Sequence, residues 1–269
     1  MTPLADDRLR SQAISFFLQA GYLRLPRLIE GSLLRKLNDA VDALFARPTP
    51  PCRVNDRGEV CRIEGLIERE EVFREVLRSE AVLPSLTALL GPNIEIALHR
   101  HNHVTLNRSG DVPFRLHRDV QQWSRAVLNV FIYLEEATPA NGCTHIVPGS
   151  HVLPYAGPQG GGGGGAWADE YPDYAHLIGQ EVPVPMPAGG VLLVNALTFH
   201  SVGRNETPGS RRSLVFACHS CDELATEVGV DRVLLAGARE FRGNPALPVS
   251  GSLRRPDAEL SGAADWIEG

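Results

Sequence analysis

Hydrophobic residues recur every three to four positions through the first third of the chain, which is the spacing of helices that bury one face. In residues 7–20 the apolar positions Ile14, Phe17 and Leu18 follow this spacing, and Gly21 stands where such a helix would end. A short strand is expected at 22–25, and further helical patterns follow at 32–45, 69–79 and 80–90. The pattern therefore predicts a mainly helical N-terminal part, residues 1–92.

From residue 93 onward the hydrophobic period changes to two, which is typical of β-strands. The pattern predicts one long strand over 94–107 with a polar face that carries His99, His101, His103, Thr105 and Asn107. Apolar strands are expected to follow at 125–137, 144–149, 190–197 and 211–219. Helices first and strands afterwards indicate an α+β fold with an antiparallel sandwich or barrel over residues 93–220. For the C-terminal extension, 221–269, we expect a helix near 231–240 and then partial disorder.

A long insertion, residues 152–180, interrupts the strand region. It holds six consecutive glycines, Gly160 to Gly165, followed by Trp167, Tyr171 and Tyr174. Such a run cannot keep one conformation without a large entropic cost. Two interpretations stay open: an insertion without function, and a lid whose aromatic side chains close over a substrate.

Length and composition favour a single domain over residues 1–269. Of the 269 residues 43% are hydrophobic, enough to bury a full core. The formal net charge is −6 and no run of basic residues occurs, which argues against a nucleic-acid partner. The polar, acidic start and the lack of a long apolar segment predict a cytoplasmic protein without a membrane span. No feature of the sequence sets an oligomeric state.

The polar cluster 115-RLHRDVQQW-123 carries the most chemical information. Residues two apart on a strand point to the same side, so His117 and Asp119 can hold one metal ion together, and His200 can complete the set. Two histidines and one carboxylate on one face of an ion leave its other positions open. That arrangement is typical of non-heme Fe(II) oxygenases.

Other polar residues near this cluster are candidate substrate contacts. His99, His101 and His103 are spaced too widely on a strand to bind one ion together, so we expect them at the open end of the barrel. Gln121 and Trp123 follow the metal motif on an expected loop. For all five, a purely structural role stays open. His145 and His151 are expected to be framework residues.

Four motifs in a fixed order resemble the phytanoyl-CoA dioxygenase (PhyH-like) family of Fe(II)- and 2-oxoglutarate-dependent oxygenases. They are the His-Arg-Asp of 117–119, the NGC and PGSH of 141-NGCTHIVPGSH-151, and His200 with Arg211 eleven residues later. The resemblance covers roughly residues 95–220. It implies a double-stranded β-helix, a cupin-like jelly roll, with the N-terminal helices packed on one of its two sheets.

The resemblance also implies the site and its cofactors, which are Fe(II), 2-oxoglutarate and O2. His117, Asp119 and His200 match the family's iron ligands and so its catalytic centre. Arg211 matches the family arginine that binds the distal carboxylate of 2-oxoglutarate. Phe131 and Thr105 are the further residues that we expect at this co-substrate.

Strand alternation gives an independent reason to choose Arg211 over Arg212. A carboxylate is best bound by the planar, two-donor guanidinium of an arginine, and adjacent residues on a strand face opposite ways. Arg211 shares its face with the small residues Ser213 and Ala217, which leave room for a ligand, whereas Arg212 shares its face with Leu214 and Phe216. Arg212 is therefore expected to pack against the second sheet or a helix.

The expected activity is oxidation, by default hydroxylation, of an unactivated C–H bond in a small molecule, with release of succinate and CO2. A bias of 25 arginines against one lysine is associated with bacteria, and secondary metabolism is the expected setting. Two alternatives stay open. One is a cupin-like metal-dependent isomerase or lyase that does not use 2-oxoglutarate, and the other is a non-catalytic ligand-binding jelly roll.

Overall fold

The computed structural model describes residues 11–98, 100–119, 127–154, 166–222 and 231–239. All of them belong to one compact unit that spans Met1–Arg239. The expected disordered tail lies almost wholly outside the described residues, so the single domain over 1–269 stays a prediction. No helix in the described ranges is both long enough and apolar enough to cross a membrane.

The helices lie mainly before residue 92, as the hydrophobic period predicts. They are α1 (Ser11–Ala20), α2 (Gly31–Ala46), α3 (Leu66–Arg69), α4 (Val72–Arg78) and α5 (Leu83–Leu90), with short 3₁₀ turns at Ser150–Val152, Ala168–Glu170 and Ala175–Leu177. Helix α1 ends where Gly21 takes a positive φ of 78° and its N–H bonds to the carbonyl of Phe17 at 2.8 Å. A Cβ there would lie 2.4 Å from Thr198 Oγ1, so the close approach also requires glycine.

The strands form two antiparallel sheets. They are β1 (Tyr22–Leu25), β2 (Cys52–Val54), β3 (Val60–Glu64), β4 (Ile94–Ala97), β5 (Asn102–Asn107), β6 (Phe114–Arg118), β7 (Leu128–Tyr133), β8 (Thr144–Ile146), β9 (Ala166–Trp167), β10 (Val182–Val184), β11 (Val191–Asn195), β12 (His200–Val202), β13 (Arg211–Ser220) and β14 (Arg232–Ala236). The major sheet has the order β1-β11-β7-β13-β5-β3-β2, with β4 on the far half of β13 and β14 on β4. The minor sheet has the order β10-β8-β12-β6-β9.

The main core lies between the outer face of the major sheet and the helices. Strand β13 shows the division, because Leu214, Phe216 and Cys218 pack into this core while Val215 belongs to a second cluster between the two sheets. The second cluster joins Phe131 and Tyr133 of β7 to residues of β8 and β10. The α+β jelly roll with helices packed on one sheet is therefore confirmed.

Two secondary-structure predictions were wrong. The single strand expected over 94–107 is split into β4 and β5, because β13 pairs with β5 over its first half and with β4 over its last residues. Leu98 and Arg100 lie in no strand between them, so the alternation of faces predicted for these two residues does not hold. The helix expected near 231–240 is instead strand β14, since pairing with the open edge of β4 overrides the local pattern.

A β-hairpin in the N-terminal part is not indicated by the sequence pattern. Strands β2 and β3 pair with each other, and β3 extends the major sheet by pairing with β5. The hairpin brings Arg53 and Arg62 to the same end of the sheet as the polar face of β5. It therefore adds side chains to the candidate site that belong to the region expected to be helical.

Candidate metal centre

Three side chains on or directly beside strands of the minor sheet converge. His117 lies on β6, Asp119 follows that strand directly, and His200 opens β12 opposite His117 in the ladder. His117 Nε2 lies 3.4 Å from Asp119 Oδ1, and His200 Nε2 lies 3.4 Å from Asp119 Oδ2. One ligand atom from each of the three residues falls within 4.8 Å of the others, so the set can hold one metal ion.

Both histidines are oriented by the backbone. His117 Nδ1 lies 2.9 Å from the carbonyl oxygen of Arg115, and His200 Nδ1 lies 2.9 Å from that of Thr198. A carbonyl only accepts, so each Nδ1 must carry the proton and donate it. Each ring thereby directs Nε2 to the centre, the nitrogen whose lone pair a metal requires.

Asp119 is held by two neighbours besides the histidines of the set. Asn129 Nδ2 donates to its Oδ2 at 2.5 Å, and His101 Nε2 lies 2.8 Å from its Oδ1. Burial alone would raise the pKa of Asp119, but His101, His200 and the hydrogen bonds outweigh it and hold this pKa well below its usual range. Burial lowers the pKa of His200 to about 4. The group thus offers an ionised carboxylate and a neutral imidazole, the states that bind metal.

Arg211 is a buried cation on the inner face of the major sheet. Its side chain is 3% exposed and lies at the start of β13. Nη2 donates to the carbonyl of Gly142 at 2.8 Å and Nη1 donates to Ser213 Oγ at 3.4 Å, while Nε has no hydrogen-bond partner among the described residues. Among the described residues, no carboxylate forms an ion pair with the Arg211 guanidinium; the nearby ion pairs belong to Arg212. The guanidinium is therefore free to receive an anion from the space between the sheets.

Strand pairing in the major sheet places several side chains between Arg211 and the metal ligands. Phe131 lies beside Val215 in the ladder, and its ring centroid is 5.9 Å from that of His200. Thr105 lies beside Ser213, on the same inner face. Tyr133 donates to or accepts from Thr144 Oγ1 at 2.7 Å, and its ring lies 5.7 Å from the Arg211 guanidinium. Phe131 and Thr105 thus lie between the sheets, where a co-substrate contact requires them to be.

A cavity of about 550 Å³ opens beside Asp119, a volume suited to a small molecule. It reaches from Asp119, the one metal ligand among its described lining residues, to the β2–β3 hairpin. Its walls are Pro51, Cys52, Arg53, Arg62, Glu64, Leu98, Arg100, His101, Asp119, Val127, Asn129 and Ala217.

Comparison with known proteins assigns the family. The family model "Phytanoyl-CoA dioxygenase (PhyH)" matches residues 17–213, which is most of the chain. This chain belongs to the phytanoyl-CoA dioxygenase family. The family is named for a dioxygenase, an enzyme of the oxidoreductase class.

Relatives agree with the family assignment, and a solved structure shares the fold. The peroxisomal phytanoyl-CoA dioxygenase of Mus musculus is 29% identical over 172 residues, 60% of this chain and 48% of that enzyme. Dioxygenase lolE1 of Epichloe uncinata is 26% identical over 222 residues, 79% of this chain and 83% of that protein. The match thus spans about half of the mouse enzyme. The epimerase SnoN, solved with Fe3+, alpha ketoglutarate and nogalamycin RO, shares the fold with a TM-score of 0.66 at 20% identity, covering 85% of this chain and 96% of SnoN.

Of the five predicted substrate-contact residues, one lines the cavity, one is buried beside Glu64 and three lie outside the described residues. His101 lines the cavity and contacts Asp119. His103 points inward from β5 but is 3% exposed, and its Nδ1 lies 3.9 Å from Glu64 Oε2. His99, Gln121 and Trp123 lie outside the described residues. His145 and His151 each place a ring nitrogen against a backbone carbonyl, at 3.1 and 3.0 Å, as framework residues do.

The described part of the 152–180 insertion covers the minor sheet. Strand β9 pairs with β6, and the Trp167 ring centroid lies 5.0 Å from that of His117. Tyr174 is buried in a cluster with Phe199 on the outer face of that sheet, and its hydroxyl donates to the carbonyl of Pro154 at 2.7 Å. Tyr174 is thus a framework residue. The glycine run that motivates the lid hypothesis lies outside the described residues, so the lid stays a prediction.

Sequence reasoning missed Asn129 and the arginines of the cavity. Asn129 is a polar residue inside an apolar strand, and that exception to the pattern is a signal that could have revealed it. Arg53, Arg62 and Arg100 come from a hairpin and a strand break that no hydrophobic period indicates. Only the tertiary pairing brings them together.

Proposed function

We propose that this protein is an Fe(II)- and 2-oxoglutarate-dependent dioxygenase that oxidises an unactivated C–H bond of a small molecule. Hydroxylation with release of succinate and CO2 is the proposed outcome. The observation that carries the proposal is the pairing of a His-Asp-His set with a buried Arg211 that has no carboxylate partner among the described residues. A metal site alone would not require that cation.

His117, Asp119 and His200 are proposed to bind Fe(II) and so to form the catalytic centre. Two neutral imidazoles and one carboxylate suit this ion, and their arrangement on one side of it leaves positions for a co-substrate and for dioxygen. When bound, iron would supply the activation of dioxygen. The residues themselves hold the ion, with Asn129 and the carbonyls of Arg115 and Thr198 fixing the orientation of the ligands.

Arg211 is proposed to bind the distal carboxylate of 2-oxoglutarate. A buried guanidinium is costly without a counter-charge, and a carboxylate can receive two parallel hydrogen bonds from it. Gly142 and Ser213 hold the guanidinium in place from one side. Phe131 and Thr105 would form the walls of this co-substrate site, because both lie on the inner face between Arg211 and the metal ligands.

Similar proteins support the choice of cofactors and of substrate size. SnoN was solved with iron, alpha ketoglutarate and a small-molecule ligand, and a structure of EctD contains 2-oxoglutarate and 5-hydroxyectoine. The cavity beside Asp119 has the volume of a small-molecule site. A role in bacterial secondary metabolism is part of the proposal and rests on composition alone.

An anaerobic titration tests the proposal. Fe(II) is added to the protein with and without 2-oxoglutarate, and the weak visible charge-transfer band of the iron–keto-acid chelate is recorded. We expect a band only when both are present, and a need for at least about tenfold more 2-oxoglutarate in Arg211→Met. Arg57→Gln, an exposed arginine on the β2–β3 turn, is the matched control. Iron binding without a band would favour the cupin-like isomerase or lyase, and no specific iron binding would favour a ligand-binding jelly roll.

A further inference from the structure

Three guanidinium groups line the cavity beside the metal centre. Arg53 and Arg62 come from the β2–β3 hairpin and Arg100 from the break between β4 and β5. Apart from the metal ligand Asp119, the only acidic side chain among the described residues of the lining is Glu64. Three guanidinium groups and the two carboxylates of Glu64 and Asp119 thus line a space of about 550 Å³.

Arg53 and Arg62 are directly opposite each other on antiparallel strands. Like charges in this position repel and destabilise a sheet. Glu64 offsets the repulsion by bridging both: its Oε1 lies 3.2 Å from Arg53 Nε and 2.8 Å from Arg62 Nε. A single carboxylate therefore serves two guanidiniums.

The hydrogen bonds of Arg62 are incomplete. Its Nη2 donates to Glu64 Oε2 at 3.3 Å, but its Nε is buried without an aligned acceptor among the described residues, despite the nearby carboxylate. Burial lowers the pKa of this guanidinium from its ordinary value, although an arginine stays charged in any protein. A second anion at this position would complete the hydrogen bonding and relieve the repulsion between the two arginines.

The arginines lie at a defined place relative to the metal ligands. Arg62 is beside Thr105 and Glu64 is beside His103 in the ladder, so both occupy the inner face of the sheet. The same cavity is also lined by His101, Asp119 and Asn129. Arg211 is separate, since it is enclosed by Gly142 and Ser213 and does not line this cavity. The pair is therefore placed to bind something other than the ligand of Arg211.

We propose that the cavity binds a substrate with an anionic oxygen group, a carboxylate or a phosphate, and that Arg62 and Arg53 recognise that group. Binding at the hairpin end would fix the rest of the molecule against the His-Asp-His end. Glu64 holds the two arginines in position when the anion is absent and competes with it when it is present. The inference rests on the proposed function, because it defines the substrate class of the same site.

Matched pairs of small probes test the inference. Protein loaded anaerobically with Fe(II) and 2-oxoglutarate, so that the Arg211 site is filled, is titrated with benzoate, benzamide and inorganic phosphate at constant ionic strength. Calorimetry measures the affinities, and the visible band reports separately whether iron and 2-oxoglutarate are bound. We expect benzoate or phosphate to bind at least about tenfold more tightly than benzamide. Preference between the two anions identifies the carboxylate or the phosphate as the natural group.

Three variants decide which residues are responsible. Arg62→Gln and the more exposed Arg53→Gln are each expected to weaken anion binding about tenfold or more while the visible band remains. Glu64→Gln is expected to strengthen anion binding, whereas a purely structural role for Glu64 would weaken it. Arg57→Gln removes a positive charge from the turn of the same hairpin and should leave both the anion affinity and the visible band unchanged. Equal binding of benzoate, phosphate and benzamide, or unchanged anion affinity in both arginine variants, would overturn the inference even if the band appears.

Discussion

Arg211 and Arg212 are neighbours on β13 but lie in opposite environments. The side chain of Arg211 points into the space between the sheets and contacts only uncharged groups among the described residues. That of Arg212 points to the helices, where it forms ion pairs with Asp42 and Glu135 and donates to Asn38 Oδ1 at 3.0 Å. One arginine therefore stabilises the fold, and the other is held at a cost in stability.

Replacing the two arginines separates these roles. Arg212→Met removes a partly buried network and should lower the free energy of unfolding by about 2 kcal/mol. Arg211→Met removes a buried, unpaired charge, so the ligand-free protein should be as stable as the wild type or more stable. Urea unfolding without ligands measures both. A loss of stability in Arg211→Met equal to that in Arg212→Met would contradict the assignment of Arg211 to a ligand.

Gly142 links the NGC motif to the position of Arg211. Its φ is 76°, and a Cβ there would lie 2.3 Å from the carbonyl oxygen of Gly203 and 2.6 Å from Asn107 Nδ2. Its own carbonyl accepts the hydrogen bond from Arg211 Nη2. Gly142→Ala should therefore move this carbonyl, which lowers both stability and the affinity for 2-oxoglutarate.

The matched control for Gly142→Ala is Gly58→Ala. Gly58 has a φ of 77°, but a Cβ there would meet no atom of the described residues within 4 Å. Gly58→Ala should lower the free energy of unfolding by only about 1–2 kcal/mol, the cost of the backbone strain that alanine introduces. Thermal unfolding and the anaerobic titration measure the two effects. If the two alanine variants are equally stable and bind 2-oxoglutarate equally, the close contact at Gly142 is not important for the site.

Local pattern predicted the parts of the site that lie on regular strands. The period of two separates Arg211 from Arg212, and the spacing of His117 and Asp119 indicates one metal set. Prediction from the local hydrophobic pattern failed where pairing between segments distant in the sequence decides the structure. Leu98 and Arg100 lie in no strand, at the point where the partner of β13 changes from β5 to β4, and they line the cavity together with His101. Strand β14 and the β2–β3 hairpin likewise depend on neighbours that are far away in the sequence.

Asn129 is expected to set the metal affinity through Asp119. Its Nδ2 donates to Asp119 Oδ2, and it lies in the same row of the sheet as Ala217. Asn129→Leu removes the donor and should weaken metal binding about 10–100-fold, the usual effect of losing a partner of a metal ligand. Competition between the protein and a chelator for Fe(II) under anaerobic conditions measures this.

A second interior variant controls for general effects of a lost hydrogen bond on metal affinity. Thr144→Val removes the contact between Thr144 Oγ1 and Tyr133, which does not involve a metal ligand. It should cost about 1 kcal/mol of stability and leave the metal affinity unchanged. Equal losses of metal affinity in Asn129→Leu and Thr144→Val would show that Asn129 has no specific effect on Asp119.

The metal-free protein should lose stability as the pH falls below about 6.5, because two buried histidines resist protonation. Burial lowers the pKa of His200 from 6.5 to about 4, and burial together with Arg62 and His101 holds the pKa of His103 well below 6.5. At about pH 7.5 both rings are neutral in the folded and unfolded states, so they make no difference. Below about 6.5 only the unfolded chain takes up these protons, and unfolding is favoured by up to about 1.4 kcal/mol per pH unit for each histidine.

Urea unfolding in the presence of a chelator at about pH 7.5, 6.5 and 5.5 measures this dependence. His103→Leu should retain the contribution of His200 and lose that of His103, so the slope of stability against pH becomes smaller. The carboxylates titrate mainly below this range, which keeps their contribution small. A free energy of unfolding that is constant between about pH 7.5 and 5.5 would mean that both rings accept protons in the folded state. His200 would then be protonated at about pH 6, and metal binding would have to displace that proton.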